Sequence, residues 1–66
     1  MELREVKRNM NRTVIYGRAP YRLTAIIYRR RESDGTEYYQ AELQDTKNEN
    51  SVVICALEQI EREVTP

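Results

Sequence analysis

The stretch AIIYRRRESDGTEYYQAEL, Ala25 to Leu43, decides how this chain folds. Two β-rich runs, Ile26-Ile27-Tyr28 and Tyr38-Tyr39, flank Ser33-Asp34-Gly35, the turn chemistry that closes hairpins. Side chains alternate between faces along a strand, so the length of the loop fixes which residues share a face. A two-residue loop at Asp34-Gly35 would set Ile27 opposite Glu42 and Ala25 opposite Gln44, matching an apolar face to a polar one. A three-residue loop, Ser33-Asp34-Gly35, closes instead with a left-handed glycine at a bulge. It sets Ile27 opposite Ala41 and Ala25 opposite Leu43, and gathers Leu23, Ala25, Ile27, Tyr39, Ala41 and Leu43 on one face. The pattern predicts the three-residue loop, with Gly35 supplying the positive φ.

That register divides the arginine triplet Arg29-Arg30-Arg31. Arg31 opposes Glu37 and Arg29 opposes Tyr39 on the core side, near the open end, where their stems cover apolar surface and their heads reach water. Arg30 opposes Tyr38 on the outer face, with Tyr28 diagonal to it and Ile26 alongside. Tyr28, Arg30, Tyr38 and Ile26, together with Arg22 on the same strand, are the candidate binding residues. Arginine against tyrosine is an ordinary structural contact. It is also the composition of a binding hot spot, and both readings stand at this point.

Outward from the hairpin, Thr13–Tyr16 reads as a strand, and Gly17-Arg18-Ala19-Pro20 is turn chemistry. A two-residue loop at Gly17-Arg18 or at Arg18-Ala19 keeps Val14 and Tyr16 on the face of Tyr21 and Leu23. The next strand, about Tyr21 to Arg31, is long against the usual five or six residues (roughly), so it is expected to bend. Thr46–Asn50 is a polar loop. Ser51–Cys55 is apolar on both faces and is expected to be a central strand. Leu57 and Ile60 have helical spacing, which predicts one helical turn and then a short strand ending at Val64; a two-turn helix from Leu57 to Val64 is the alternative. Leu3, Val6 and Met10 also have helical spacing. The organisation expected is an N-terminal arm or short helix over residues 1–12 and a single small β domain over residues 13–64.

Composition bounds the rest. A chain of 66 residues is one domain, and domains near this size are marginally stable. Cys55 is the sole cysteine and there is no histidine, so no intrachain disulfide forms. A metal site would need carboxylates alone, and no loop has their calcium-binding spacing; neither metal nor cofactor is expected. Self-association, most simply as a dimer, is the remaining support for a small core. Cys55 lies in the apolar run SVVICAL and reads as a buried small hydrophobe. MELREVKRNM lacks the apolar core of a secretion signal, no run reaches membrane-spanning length, and a lone thiol suits a reducing compartment. A cytoplasmic location without membrane contact is expected.

The zero net charge hides a division. Residues 1–31 carry nine bases and two acids, a net +7; residues 32–66 carry two bases and nine acids, a net −7. Such asymmetry marks either a nucleic-acid face or basic strands lying beside acidic ones.

The element order resembles the small SH3-like barrels, the group that includes Tudor, KOW and Sm-type modules, over about Thr13 to Val64. The resemblance implies a mainly β, five-stranded SH3-like barrel with one helical turn before the last strand. YYQAELQD and NSVVICALEQIE are similar to short reading frames carried by phages and mobile elements of Gram-positive gut bacteria. That resemblance brings no catalytic residues. It implies a small inhibitor or adaptor of the anti-defence type, binding a host protein or an anionic nucleotide-type ligand stoichiometrically. The aromatic cage spacing of methyl-lysine readers and the glycine and asparagine pattern of Sm pockets are both absent, so those activities are not implied. With no histidine, no P-loop, no nucleophile elbow and no HExxH motif, an enzyme is not expected. Two alternatives remain: a nucleic-acid-binding barrel using the basic half, and a structural subunit of a larger assembly.

Overall fold

The computed structural model describes residues 1–63. Its elements are α1 (Leu3–Arg8), β1 (Thr13–Tyr16), β2 (Ala19–Arg30), β3 (Glu37–Asp45), β4 (Val52–Ala56), a 3-10 turn (Leu57–Gln59) and β5 (Glu61–Arg62). The strands form one antiparallel sheet in the order β4-β3-β2-β1-β5. The chain is mainly β, with one short helix. Among the described residues the sheet is open, its outer strands being β4 and β5.

Local chemistry accounts for most of these elements. Gly17 and Arg18 both have positive φ, 57° and 65°, and Tyr16 pairs with Ala19 across them. This is the two-residue turn whose twist matches the strands it joins. The single turn expected at Leu57 is the 3-10 turn, and the N–H of Ala56, just before it, donates to the Gln59 side-chain oxygen at 3.0 Å. β5 follows it directly; Val64, the expected end of that strand, lies outside the described residues. The N-terminal segment forms α1, which seats Val6 fully in the core. The backbone nitrogen of Met1 donates to the Leu57 carbonyl at 2.8 Å, so the first residues are tied to the 3-10 turn.

One face of the sheet, α1 and the 3-10 turn enclose the core: Val6, Val14, Leu23, Ala41, Leu43, Cys55, Leu57 and Ile60. Cys55 is buried there as a small hydrophobe, and burial pushes its thiol pKa up. No buried polar side chain accompanies it among the described residues.

The structure corrects two expectations. Ser51–Cys55 is not central. β4 lies at the sheet edge because β5 pairs with β1 and not with it, and Val52 and Ile54 stand 49% and 44% exposed. The hairpin register also differs. Arg30 pairs with Glu37, Tyr28 with Tyr39 and Ile26 with Ala41, one step from the expected alignment. The Arg31 N–H donates to the Thr36 carbonyl, and the Gly35 N–H to the Arg31 carbonyl, which encloses a four-residue loop, Glu32 to Gly35. Gly35 is left-handed, φ 74°, as expected, but it closes the longer loop. The bulge lies elsewhere. Between Leu23, paired with Leu43, and Ala25, paired with Glu42, Thr24 is the extra residue. Its hydroxyl faces the Glu42 carbonyl at 3.1 Å and the Glu42 carboxylate at 2.8 Å. The long strand therefore bends at a bulge held by a side chain.

Candidate binding surface on the β2–β3 hairpin

The longest dimension of the molecule is 42 Å against 25 and 18 Å. The twelve residues of β2, at about 3.3 Å each, account for that length. The fully buried residues of the hairpin stop at Leu23 on β2 and Ala41 on β3. Beyond them β2 and β3 continue as a two-stranded arm with exposed side chains on both faces, from Tyr28 on one strand to Tyr39 on the other.

The four-residue loop sets the faces of this arm. The core face continues outward as Ile26, Tyr28 and Arg30 on β2, opposite Ala41, Tyr39 and Glu37 on β3. The opposite face carries Ile27 and Arg29, opposite Gln40 and Tyr38. The expected trio is thereby split. Tyr28 and Arg30 share a face, and Tyr38 lies on the other one with Arg29. Ile26 is half-buried against the core and not part of an outer row. Arg22 is remote from the arm's end. It donates to the Gln44 side chain at 2.7 Å beside a shallow groove lined by Asp45, Thr46 and Glu49. Arg31 does not pair with Glu37; it closes the loop opposite Thr36, its side chain 3.5 Å from the Asp34 carboxylate.

Each face of the arm has its own chemistry. Tyr28 and Tyr39 pack with ring centres 5.7 Å apart and planes tilted 60°, an aromatic pair that stays 52% and 39% exposed. Partial withdrawal from water, and next the negative charge of Glu37, push the Tyr28 phenol above its ordinary pKa. Arg30 extends over Gly35, in an open groove that Arg31 and Glu32 also line. On the other face Arg29 donates to the Gln40 side chain beside the exposed Tyr38. Asp34 accepts the Thr36 N–H at 2.9 Å, which holds its carboxyl below the ordinary value, with Arg31 adding to the effect.

Tyr39 keeps the core-side face that the sequence pattern gives it but lies beyond the core, exposed, whereas Arg29, which the pattern places on the core side, lies on the opposite face. The adjacency of Tyr38 and Tyr39 was the available signal: in any register, two successive tyrosines place one ring on each face of a ribbon. Two arginines of the triplet have a local side-chain partner, Gln40 for Arg29 and Asp34 for Arg31, while Arg30 stands opposite Glu37 in the ladder. Among the described residues the ion pairs are Arg31–Asp34 and Arg62–Glu5, the second at 3.1 Å. The charge division between the two halves is thus not consumed by salt bridges across the β2–β3 ladder, where Arg22 and Arg29 meet glutamine amides. Set against protein-family models, curated proteins and solved structures, the chain finds no match.

Proposed function

We propose that this chain is a non-catalytic binding module that inserts the end of its β2–β3 arm into a cleft of a protein partner. The carrying observation is that aromatic rings stand exposed on both faces of a ribbon that projects past the core: Tyr28 and Tyr39 on one side, Tyr38 on the other. A ribbon with rings on both faces suits a two-walled cleft better than a flat surface, and tyrosine is enriched among residues that dominate binding. Residues 27–40 hold three bases, Arg29, Arg30 and Arg31, and three acids, Glu32, Asp34 and Glu37, for a net charge of zero. A phosphate backbone would meet those acids at close range, which favours protein over nucleic acid at this site.

The body that carries the arm fits an SH3-like arrangement. Its last strand lies beside its first, a 3-10 turn precedes that last strand, and a long second strand bends at a bulge. The similarity to short phage and mobile-element reading frames favours a stoichiometric inhibitor or adaptor of a host protein, of the anti-defence type. The nucleic-acid reading draws on different residues, the exposed Arg4, Lys7 and Arg8 of α1. The reading as an assembly subunit draws on the same tyrosines as the main one.

Affinity capture with the whole protein and three variants tests this. Tyr28→Ala and Tyr38→Ala are each expected to weaken retention of a partner by at least about tenfold while leaving the melting temperature nearly unchanged. Lys7→Ala is expected to leave retention unaltered. A partner retained equally by both tyrosine variants would overturn the assignment. Binding of duplex or single-stranded nucleic acid that falls steeply between two salt concentrations, and is lost in Lys7→Ala, would replace it with the nucleic-acid reading.

A further inference from the structure

The outer edge of β4 joins two features that seldom occur together in a free monomer. The first is unpaired backbone. The Asp45 N–H donates to the Ser51 carbonyl at 3.0 Å, so Ser51 faces β3, and by the alternation of antiparallel ladders Val53 and Cys55 face it too. The N–H and C=O groups of Val52, Ile54 and Ala56 therefore point outward. The Ala56 N–H is already taken by the Gln59 side chain, which closes that end of the edge. Among the described residues the N–H and C=O of Val52 and of Ile54 remain without a partner, four groups in a row. The second feature is side-chain chemistry. Val52 and Ile54 are the exposed aliphatic side chains of this strand. Asn50 to Leu57 carries no charged residue and no proline, the devices that ordinarily keep an edge strand from pairing.

We propose that β4 pairs with β4 of a second copy of this chain, antiparallel about a twofold axis at Val53, to give one continuous ten-stranded sheet. This register opposes Val52 of one copy to Ile54 of the other, and the reverse. The four free backbone groups of each copy are then satisfied by those of its mate, without displacing Gln59. Opposed residues in an antiparallel pair share a face, so the four aliphatic side chains form one apolar strip. The strand brings no like charges together. Each loop 46–50 runs beside the 3-10 turn of the other copy, bringing Lys47, the one base between residues 32 and 61, towards Glu58 at both ends. An edge contact of five residues a side buries less than the roughly 1,200 Å² of a standard stable interface, so the dimer is a weak one. The inference does not depend on the arm: β4 and the arm's end are separate surfaces.

Sedimentation equilibrium of the full chain, from low micromolar to about millimolar, reads the result. The mass is expected to rise with concentration from 7.9 kDa towards twice that value. Ile54→Pro removes an outward N–H that β3 does not use, and proline is tolerated at such edge positions. This variant is expected to stay at the monomer mass throughout and to melt cooperatively. Tyr28→Ala is expected to dimerise like the unaltered chain. A monomer mass for the unaltered chain at millimolar concentration overturns the proposal, as does undiminished association of Ile54→Pro or loss of association in Tyr28→Ala. Should Ile54→Pro fail to fold, amide exchange of the unaltered chain decides. Protection of the Val52 and Ile54 amides that grows with concentration supports the pairing, and protection that does not change with concentration overturns it.

Discussion

At the scale of the residue, Gly35 and Asp34 hold the arm's loop by different means. Gly35 sits at φ 74°, yet a Cβ built there would meet the Arg30 guanidinium at an ordinary 3.6 Å. The constraint is therefore in the backbone and not in crowding. Gly35→Val is expected to cost about 1–2 kcal/mol or more. Gly35→Asn is expected to cost distinctly less, because asparagine enters the left-handed region more readily. Urea unfolding midpoints of the two variants check the ordering; equal costs would point to sterics. Asp34 adds a pH dependence of known sign. The Thr36 N–H favours its ionised form, so its native pKa lies below the ordinary 3.8. The unfolded chain takes up that proton more readily than the native one. The contribution of Asp34 is thus present in full above about pH 4 and is lost as pH falls through the lower native value. The Thr36 amide resonance should titrate with that midpoint, and Asp34→Ala should abolish the transition.

At the scale of the element, β2 turns on Thr24. Thr24→Val keeps the β-branched shape and deletes the hydroxyl that faces Glu42. Losing a hydrogen bond to a half-buried carboxylate is expected to cost about 1–2 kcal/mol, read as a shift of the denaturation midpoint at unchanged m-value. This bulge is also where sequence reasoning missed. The turn at Gly17-Arg18, the left-handed Gly35, the helical turn at Leu57 and the helix through Val6 were legible because each rests on local chemistry. The arm's faces were not, because period-two reasoning assumes an unbroken ladder. Ala25, Ile26 and Ile27 are all apolar, so either phase yields an apolar row. The four-residue loop puts Ile26 opposite Ala41, the place that the pattern gave to Ile27, and the extra residue at Thr24 returns Leu23 to the core face below it. β4 failed for a related reason. A strand apolar on both faces reads as interior, whereas here one of those faces is uncovered at an edge.

At the scale of the whole molecule, eight core side chains among the described residues carry the packing, and one of them comes from α1. Val6→Ala removes two methyl groups' worth of volume from a fully buried site and is expected to cost about 1.5–3 kcal/mol. For a domain of this size that lowers the melting temperature by roughly 10 °C or more. A near-neutral result would mean that α1 only rests on the sheet. Cys55 supplies a second readout. It is 4% exposed and its thiol pKa is raised by burial, so thiol reagents should label it only as the fold opens. The labelling rate should rise in Val6→Ala in proportion to the stability lost.

The bulge at Thr24 has a geometric consequence for the whole. With Thr24 excised, Leu23 would still oppose Leu43, Ala25 would oppose Glu42 and Ile26 would oppose Ala41. Every ring and guanidinium of the arm would keep its face. What the inserted residue controls is direction: bulges bend and twist a strand locally, so this one sets the angle at which the arm leaves the body. Aim and recognition are thereby written in separate residues. A lineage of such chains could swing the arm toward a differently placed cleft by gaining or losing a single residue at its root, with its contact surface unchanged.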